Sequence, residues 1–166
     1  MTNSTTQVAI IMGSDSDLPV VEASFAVLDS FGVKYTKNVM SAHRTPHAVM
    51  ELIKNSENNG CKVFIAAPGM AAHLAGAVAA HSTRPVIGIP IESGGMGGID
   101  SLLSTAMMPP GVPVATVAVG KSGAKNSAIL AVQILATSDE DLAQKLVDYK
   151  ENMRKEVLEK DKKLNS

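Results

Sequence analysis

The 166-residue chain has one cysteine, no tryptophan, two tyrosines and three phenylalanines. A lone Cys61 excludes an intramolecular disulfide and any multi-cysteine zinc centre, and suggests a reducing compartment, the cytoplasm. Aromatics make up only 3% of residues, too few for the stacking platforms that grip single-stranded nucleic acid or sandwich an isoalloxazine ring. Neither charge predominates: 15 Lys and Arg face 16 Asp and Glu, giving a net charge of −1 and no basic surplus for nucleic acid or an anionic membrane. No apolar run reaches the roughly 18 residues of a membrane span, and Met1 to Gln7 is polar rather than signal-like. What remains is a chain 45% hydrophobic and 19% charged, in which Ala, Val, Ile, Leu and Met supply the core. Its length suits a single domain over 1–166, with a core over about 7–136.

The apolar spacing alternates between two periods. Val8 to Met12 is a short apolar run closed by Gly13, and Val21, Phe25 and Leu28 then recur at helical spacing. The pattern repeats with strands expected near Lys34–Met40, Val63–Ala67, Pro85–Ile89 and Val114–Val119. Helices are expected from Pro46, over Ala71–Ala80, over Ile99–Met107 and over Ala124–Leu135. Five β-α units whose strands are mostly apolar throughout predict an α/β fold, a doubly wound parallel sheet covered on both faces in three α/β/α layers. Thr137-Ser138-Asp139-Glu140 has the form of a capping box, and the stripe Leu142, Leu146, Tyr149, Met153 and Val157 predicts a C-terminal helix over about 138–162. Its other face places Glu151, Glu156 and Glu159 each four residues before a lysine.

Such sheets bind ligands beyond the carboxyl ends of their strands, so the loops after the strands carry the candidates. Gly13-Ser14-Asp15-Ser16-Asp17 opens a helix, where hydroxyls and N–H groups suit a phosphate and a carboxylate suits ribose hydroxyls; helix capping by Ser16 or Asp17 is the competing role. The spacing is not Gly-x-Gly-x-x-Gly, and no Gly-x-x-x-x-Gly-Lys-[Ser/Thr] occurs. Ser41-Ala42-His43-Arg44-Thr45-Pro46 offers a histidine able to move protons near neutrality and an arginine able to clamp an anion; a plain surface loop is the alternative. Pro46 argues against one helix carrying His43 and His47, and so against a metal pair there. In Pro68-Gly69-Met70-Ala71-Ala72-His73-Leu74-Ala75-Gly76 small residues expose N–H groups that could hold a carboxylate or carbon dioxide, while His73 reads equally as a packed helix residue. Ser93-Gly94-Gly95-Met96-Gly97-Gly98-Ile99-Asp100, with the proline-rich stretch from Met108 to Pro113, reads as loop, a lid being the sharper alternative.

Four of these segments in order, Met12-Gly13-Ser14-Asp15-Ser16-Asp17, Ser41-Ala42-His43-Arg44-Thr45-Pro46, Ala71-Ala72-His73-Leu74 and Asp100-Ser101-Leu102-Leu103 with Met108-Pro109 and Gly111-Val112-Pro113, resemble the 5-(carboxyamino)imidazole ribonucleotide mutase family. The resemblance runs from about Val8 to Leu135 and implies a flavodoxin-like subunit, a homo-octamer with sites at subunit junctions, and no metal or organic cofactor. It implies a small ribonucleotide as substrate and a functional link to an ATP-dependent synthetase that makes it. Carried over by position, His43 is the general acid and base. Ser14, Asp17 and Arg44 bind substrate, Ser16 and Ser41 lie near the ribose phosphate, and Ala71, Ala72 and His73 line the carboxylate pocket. The chain departs from the family pattern at Met70, at Ala75 and in an expanded Gly94–Gly98 loop. A sister class that carboxylates aminoimidazole ribonucleotide with free carbon dioxide carries Lys where Arg44 stands, so the mutase is the expected activity and the carboxylase the alternative. A non-catalytic nucleotide- or flavin-binding module of flavodoxin type would have no need of His43.

Overall fold

The computed structural model describes residues 5–69 and 72–165. Five parallel strands, β1 (Val8–Met12), β2 (Tyr35–Val39), β3 (Val63–Ala67), β4 (Val86–Gly88) and β5 (Ala115–Thr116), lie in the order β2-β1-β3-β4-β5. This is the flavodoxin-like order, whose topological switch point falls between β1 and β3. The helices are α1 (Leu18–Phe31), α2 (Pro46–Asn58), α3 (His73–His81), α4 (Ile99–Ala106), α5 (Gly120–Ala136) and α6 (Glu140–Leu164).

Central strands apolar at every position are what a sheet with two covered faces requires. Alternate side chains of β1 and β3 enter different cores: Val8, Ile10, Met12, Val63 and Ile65 pack with α1 and α5, while Ala9, Ile11, Phe64 and Ala66 pack with α2 and α3. Every residue of β1 and β3 is buried, whereas β2, an edge strand reading Tyr-Thr-Lys-Asn-Val, is only partly so. On α1 the buried Val21, Phe25 and Leu28 form one face, each contributing about 1.5–3 kcal/mol of transfer free energy. Pro46 takes the first position of α2, where its missing N–H removes no helical hydrogen bond.

Boundaries shift from the expected ones where local geometry decides them. β5 is two residues long, and α5 begins at Gly120, four residues before the expected Ala124. α6 starts at Glu140 because Asp139, not Thr137, is the N-cap: its carboxylate accepts from Leu142 N–H at 3.0 Å. Along α6 Glu151 meets Arg154 with two hydrogen bonds at 2.8 and 2.9 Å and only grazes Lys155 at 4.0 Å, since the guanidinium fork matches a carboxylate better than a point charge. Lys145 ties the same helix down by donating to the Phe31 carbonyl at the end of α1.

Candidate active site

The carboxyl ends of β1 and β3 open onto a cleft of about 510 Å³, walled by the turn after β1, the turn after β2 and the segment that leads from β3 into α3. A hollow of similar size, about 520 Å³, lies beside α2 and is lined by threonines, Asn55, Asn59, Ser56 and Leu52, with no titratable side chain. Of the hollows among the described residues, the first gathers two histidines, an arginine and a carboxylate, and chemistry points to it.

Its first wall is built by reciprocal capping. Ser14 is the N-cap of a single 3-10 turn, Asp15–Asp17: its hydroxyl accepts from Ser16 N–H, and its own N–H donates to the Asp17 carboxylate at 3.0 Å. Ser16 donates its hydroxyl to Ser14 Oγ at 2.9 Å. The cap of this turn is therefore Ser14 rather than the expected Ser16 or Asp17, with Asp17 completing the box by accepting from Ser14 N–H, and all three residues line the cleft. Asp17 is nearly buried, and that burial, reinforced by the Asp15 charge and opposed by the Ser14 N–H, raises its carboxyl above the ordinary value.

The second wall is a turn closed on itself. Thr45 N–H and Thr45 Oγ1 both donate to the Ser41 carbonyl, and the Ser41 hydroxyl accepts from Arg44 N–H. The five-residue turn so closed holds the His43 and Arg44 side chains out over the cleft, and both are exposed. Pro46 then starts α2, which leaves His47 on the far side as an exposed residue of its first turn.

The third wall brings in His73, the first residue of α3. Its Nδ1 lies 2.6 Å from His43 Nε2, with the rings edge to face and 4.8 Å between centroids. A separation that short requires one proton between the two nitrogens, so one ring donates and the other accepts; both cannot hold a proton along that line. Ala72 is buried at the head of the helix, and its N–H donates to Ser104 of α4 at 3.1 Å. Ala71, the remaining expected pocket residue, lies outside the described residues.

Eight of the nine candidate positions therefore fall among the described residues. Seven of them, Ser14, Ser16, Asp17, Ser41, His43, Arg44 and His73, line one cleft. Ala72 meets α4 instead, and His81 closes the far end of α3 by contacting the Ala77 carbonyl. Sequence reasoning placed Ser93 at the start of a candidate loop but gave it no role; the structure puts it on the cleft wall, and its place just past the Pro85–Ile89 strand run was the signal. No cluster of three His, Cys, Asp or Glu able to hold a metal ion occurs among the described residues.

Residues 7–156 match the AIR carboxylase family. The chain is 49% identical over 158 residues to the N5-carboxyaminoimidazole ribonucleotide mutase of Thermotoga maritima, covering 95% of this chain and 91% of that one. It is 51% identical to the protein of the same name from Bacillus subtilis, covering 92% and 94%. Among solved structures, Treponema denticola PurE superposes with a TM-score of 0.88 at 30% identity, covering 96% of this chain and 99% of that one.

Proposed function

The chain belongs to the AIR carboxylase family, and from that premise we propose that it moves the carboxylate of N5-carboxyaminoimidazole ribonucleotide from the exocyclic nitrogen to ring carbon C4, as its mutase relatives are named for doing. The observation that carries the reading is the His43–His73 pair at 2.6 Å, held over the cleft that Ser14, Asp17 and Arg44 also line.

The chemistry needs little beyond those groups. In this reading the ribose phosphate sits between the serine hydroxyls of the first turn, Ser41 and the Arg44 guanidinium, while ionised Asp17 accepts from ribose hydroxyls. Protonated His43 gives its proton to the exocyclic nitrogen, the C–N bond breaks, and neutral carbon dioxide and aminoimidazole ribonucleotide form. The ring and its free amine make C4 nucleophilic, so C4 attacks the carbon dioxide without a strong electrophile. Neutral His43 then removes the C4 proton, restoring the aromatic ring and its own charge. One imidazole can serve both steps because it gives a proton in the first and takes one back in the second. His73 fixes the His43 ring, and the segment through Ala71 and Ala72 keeps the carbon dioxide beside C4.

The same reading includes a homo-octamer, a cytoplasmic location and supply of substrate by an ATP-dependent synthetase. Exposed apolar residues support assembly: Ile99 and Leu103 of α4 and Met107 just past its end follow one another at four-residue spacing, and Val147, Met153, Val157 and Leu158 are exposed on α6. Among the described residues no helix is long and apolar enough to cross a membrane. The test is isotopic. Substrate labelled with carbon-13 in its N-carboxylate, turned over in unlabelled bicarbonate, should place the label at C4; unlabelled product would overturn the mutase reading in favour of carboxylation from solution.

A further inference from the structure

Two buried side-chain oxygens among the described residues have no hydrogen-bond partner, Ser93 Oγ and Asp100 Oδ1. Asp100 belongs to the first turn of α4 and is not on the cleft wall; Ser93 is. The backbone places Ser93 firmly. Beyond β4 the chain stays extended, with Ile89 N–H donating to the Ala66 carbonyl and Ile91 N–H to the Pro68 carbonyl, and Ile91 bridges Gly69. Ser93 follows two residues later, beside the segment that leads into α3. Its hydroxyl fills the space a side chain at Gly69 would need, 2.4 Å from where that Cβ would lie. Glycine at 69 makes room for the serine.

A buried hydroxyl left unpaired is unfavourable, and a side chain that only filled this space would be better served by alanine. We propose that Ser93 is a further substrate-binding residue, whose hydroxyl donates a hydrogen bond to the migrating carboxylate. This rests on the mutase reading given above. Rotation about χ1, between staggered positions open to any serine, turns the hydroxyl from the Gly69 hollow into the cleft. There it meets the group closest to Gly69 and His73, the carboxylate carbon on its way from nitrogen to C4. A neutral hydroxyl suits that role: it holds a carboxylate at the start and end of the transfer, yet does not trap neutral carbon dioxide as a cation would trap an anion. Ser93 takes no proton and makes no covalent bond.

The test compares Ser93→Ala with the unchanged chain by turnover, ligand binding and melting. Losing a hydrogen bond to a charged group should lower turnover about 10–100-fold. Binding of the C4-carboxylated ribonucleotide should weaken similarly, while binding of aminoimidazole ribonucleotide, which lacks the carboxylate, stays the same. More decarboxylated nucleotide should escape per turnover, and the melting temperature should hold or rise. A purely structural Ser93 would instead lower the melting temperature and weaken both ligands alike. If Ser93→Ala does not fold, Ser93→Cys, nearly the same shape with a poor donor, is measured instead. A folded variant with turnover within twofold and unchanged binding of both ligands overturns the proposal. Inactivity of the unchanged chain would overturn the mutase reading, a distinct result.

Discussion

Gly88 in β4 lies against α3, α4 and the approach to β5. A Cβ added there would lie 2.4 Å from Thr105 Cγ2, 2.9 Å from Val114 Cγ1 and 3.6 Å from Ala75 Cβ. The first two distances are below any contact carbon atoms tolerate, so Gly88→Ala must displace α4 or the Val114 strand approach. Overpacking of this kind costs about 1–3 kcal/mol. In a chain of this size each kcal/mol moves the melting temperature by about 2–4 °C, giving an expected drop of roughly 2–12 °C. Thr105→Ser removes the offending methyl and keeps the hydroxyl, which donates to the Ser101 carbonyl. Alone it should cost about 0.5–1.5 kcal/mol, the usual loss for one buried methyl group. Combined with Gly88→Ala it exchanges one methyl for another across the same contact, so the double variant should be at least about 1 kcal/mol more stable than the sum of the single effects. Thermal melts of the four proteins provide the cycle. Binding of aminoimidazole ribonucleotide should follow it, because α4 also carries Ser104, which accepts from Ala72 N–H at the head of α3. Additive melting temperatures, or an undisturbed Gly88→Ala, would refute the packing argument.

Three further outcomes are expected. His43→Asn should reduce turnover by at least about 10²–10⁴-fold, the contribution of a positioned acid or base, with little change in melting temperature because the side chain is exposed; turnover near that of the unchanged chain would remove His43 from the mechanism. Asp17→Asn should raise stability at neutral pH. The carboxyl is raised by burial, so its ionisation penalises the fold as pH climbs through the ordinary value of 3.8, and the advantage of Asn should shrink below that value. A pH-independent difference would contradict this, as would unweakened nucleotide binding the role given to Asp17. Asp139→Ala should cost about 0.5–2 kcal/mol in urea melts by removing the α6 cap, whereas Thr137→Ala should cost less.

The fold was legible wherever burial left a one-sided signature in the sequence. Val8 to Met12 and Val63 to Ala67 are apolar throughout because both sheet faces are covered, and that run length distinguishes them from helices. The α6 cap was misplaced by two residues because Thr137 and Asp139 both precede acidic residues suitably, and only backbone geometry separates them: Asp139 is extended, with φ −144°, while Thr137 is helical, with φ −63°. The site was legible loop by loop, since each candidate turn follows a strand. The contact between His43 and His73 was not, because it joins residues thirty apart through the sheet and no spacing rule links them. Ser93 escaped for a related reason: an unpaired hydroxyl becomes notable only once its burial against Gly69 is seen.

The central claim is that the cleft transfers a carboxylate within one bound ribonucleotide. The most direct measurement follows ultraviolet absorbance as freshly prepared N5-carboxyaminoimidazole ribonucleotide is added to the protein in bicarbonate-depleted buffer without ATP or metal, beside a run with aminoimidazole ribonucleotide plus bicarbonate. Rapid formation of the C4-carboxylated product in the first run and only slow formation in the second is the result this account predicts. Product in the second run alone, or in neither, would contradict it.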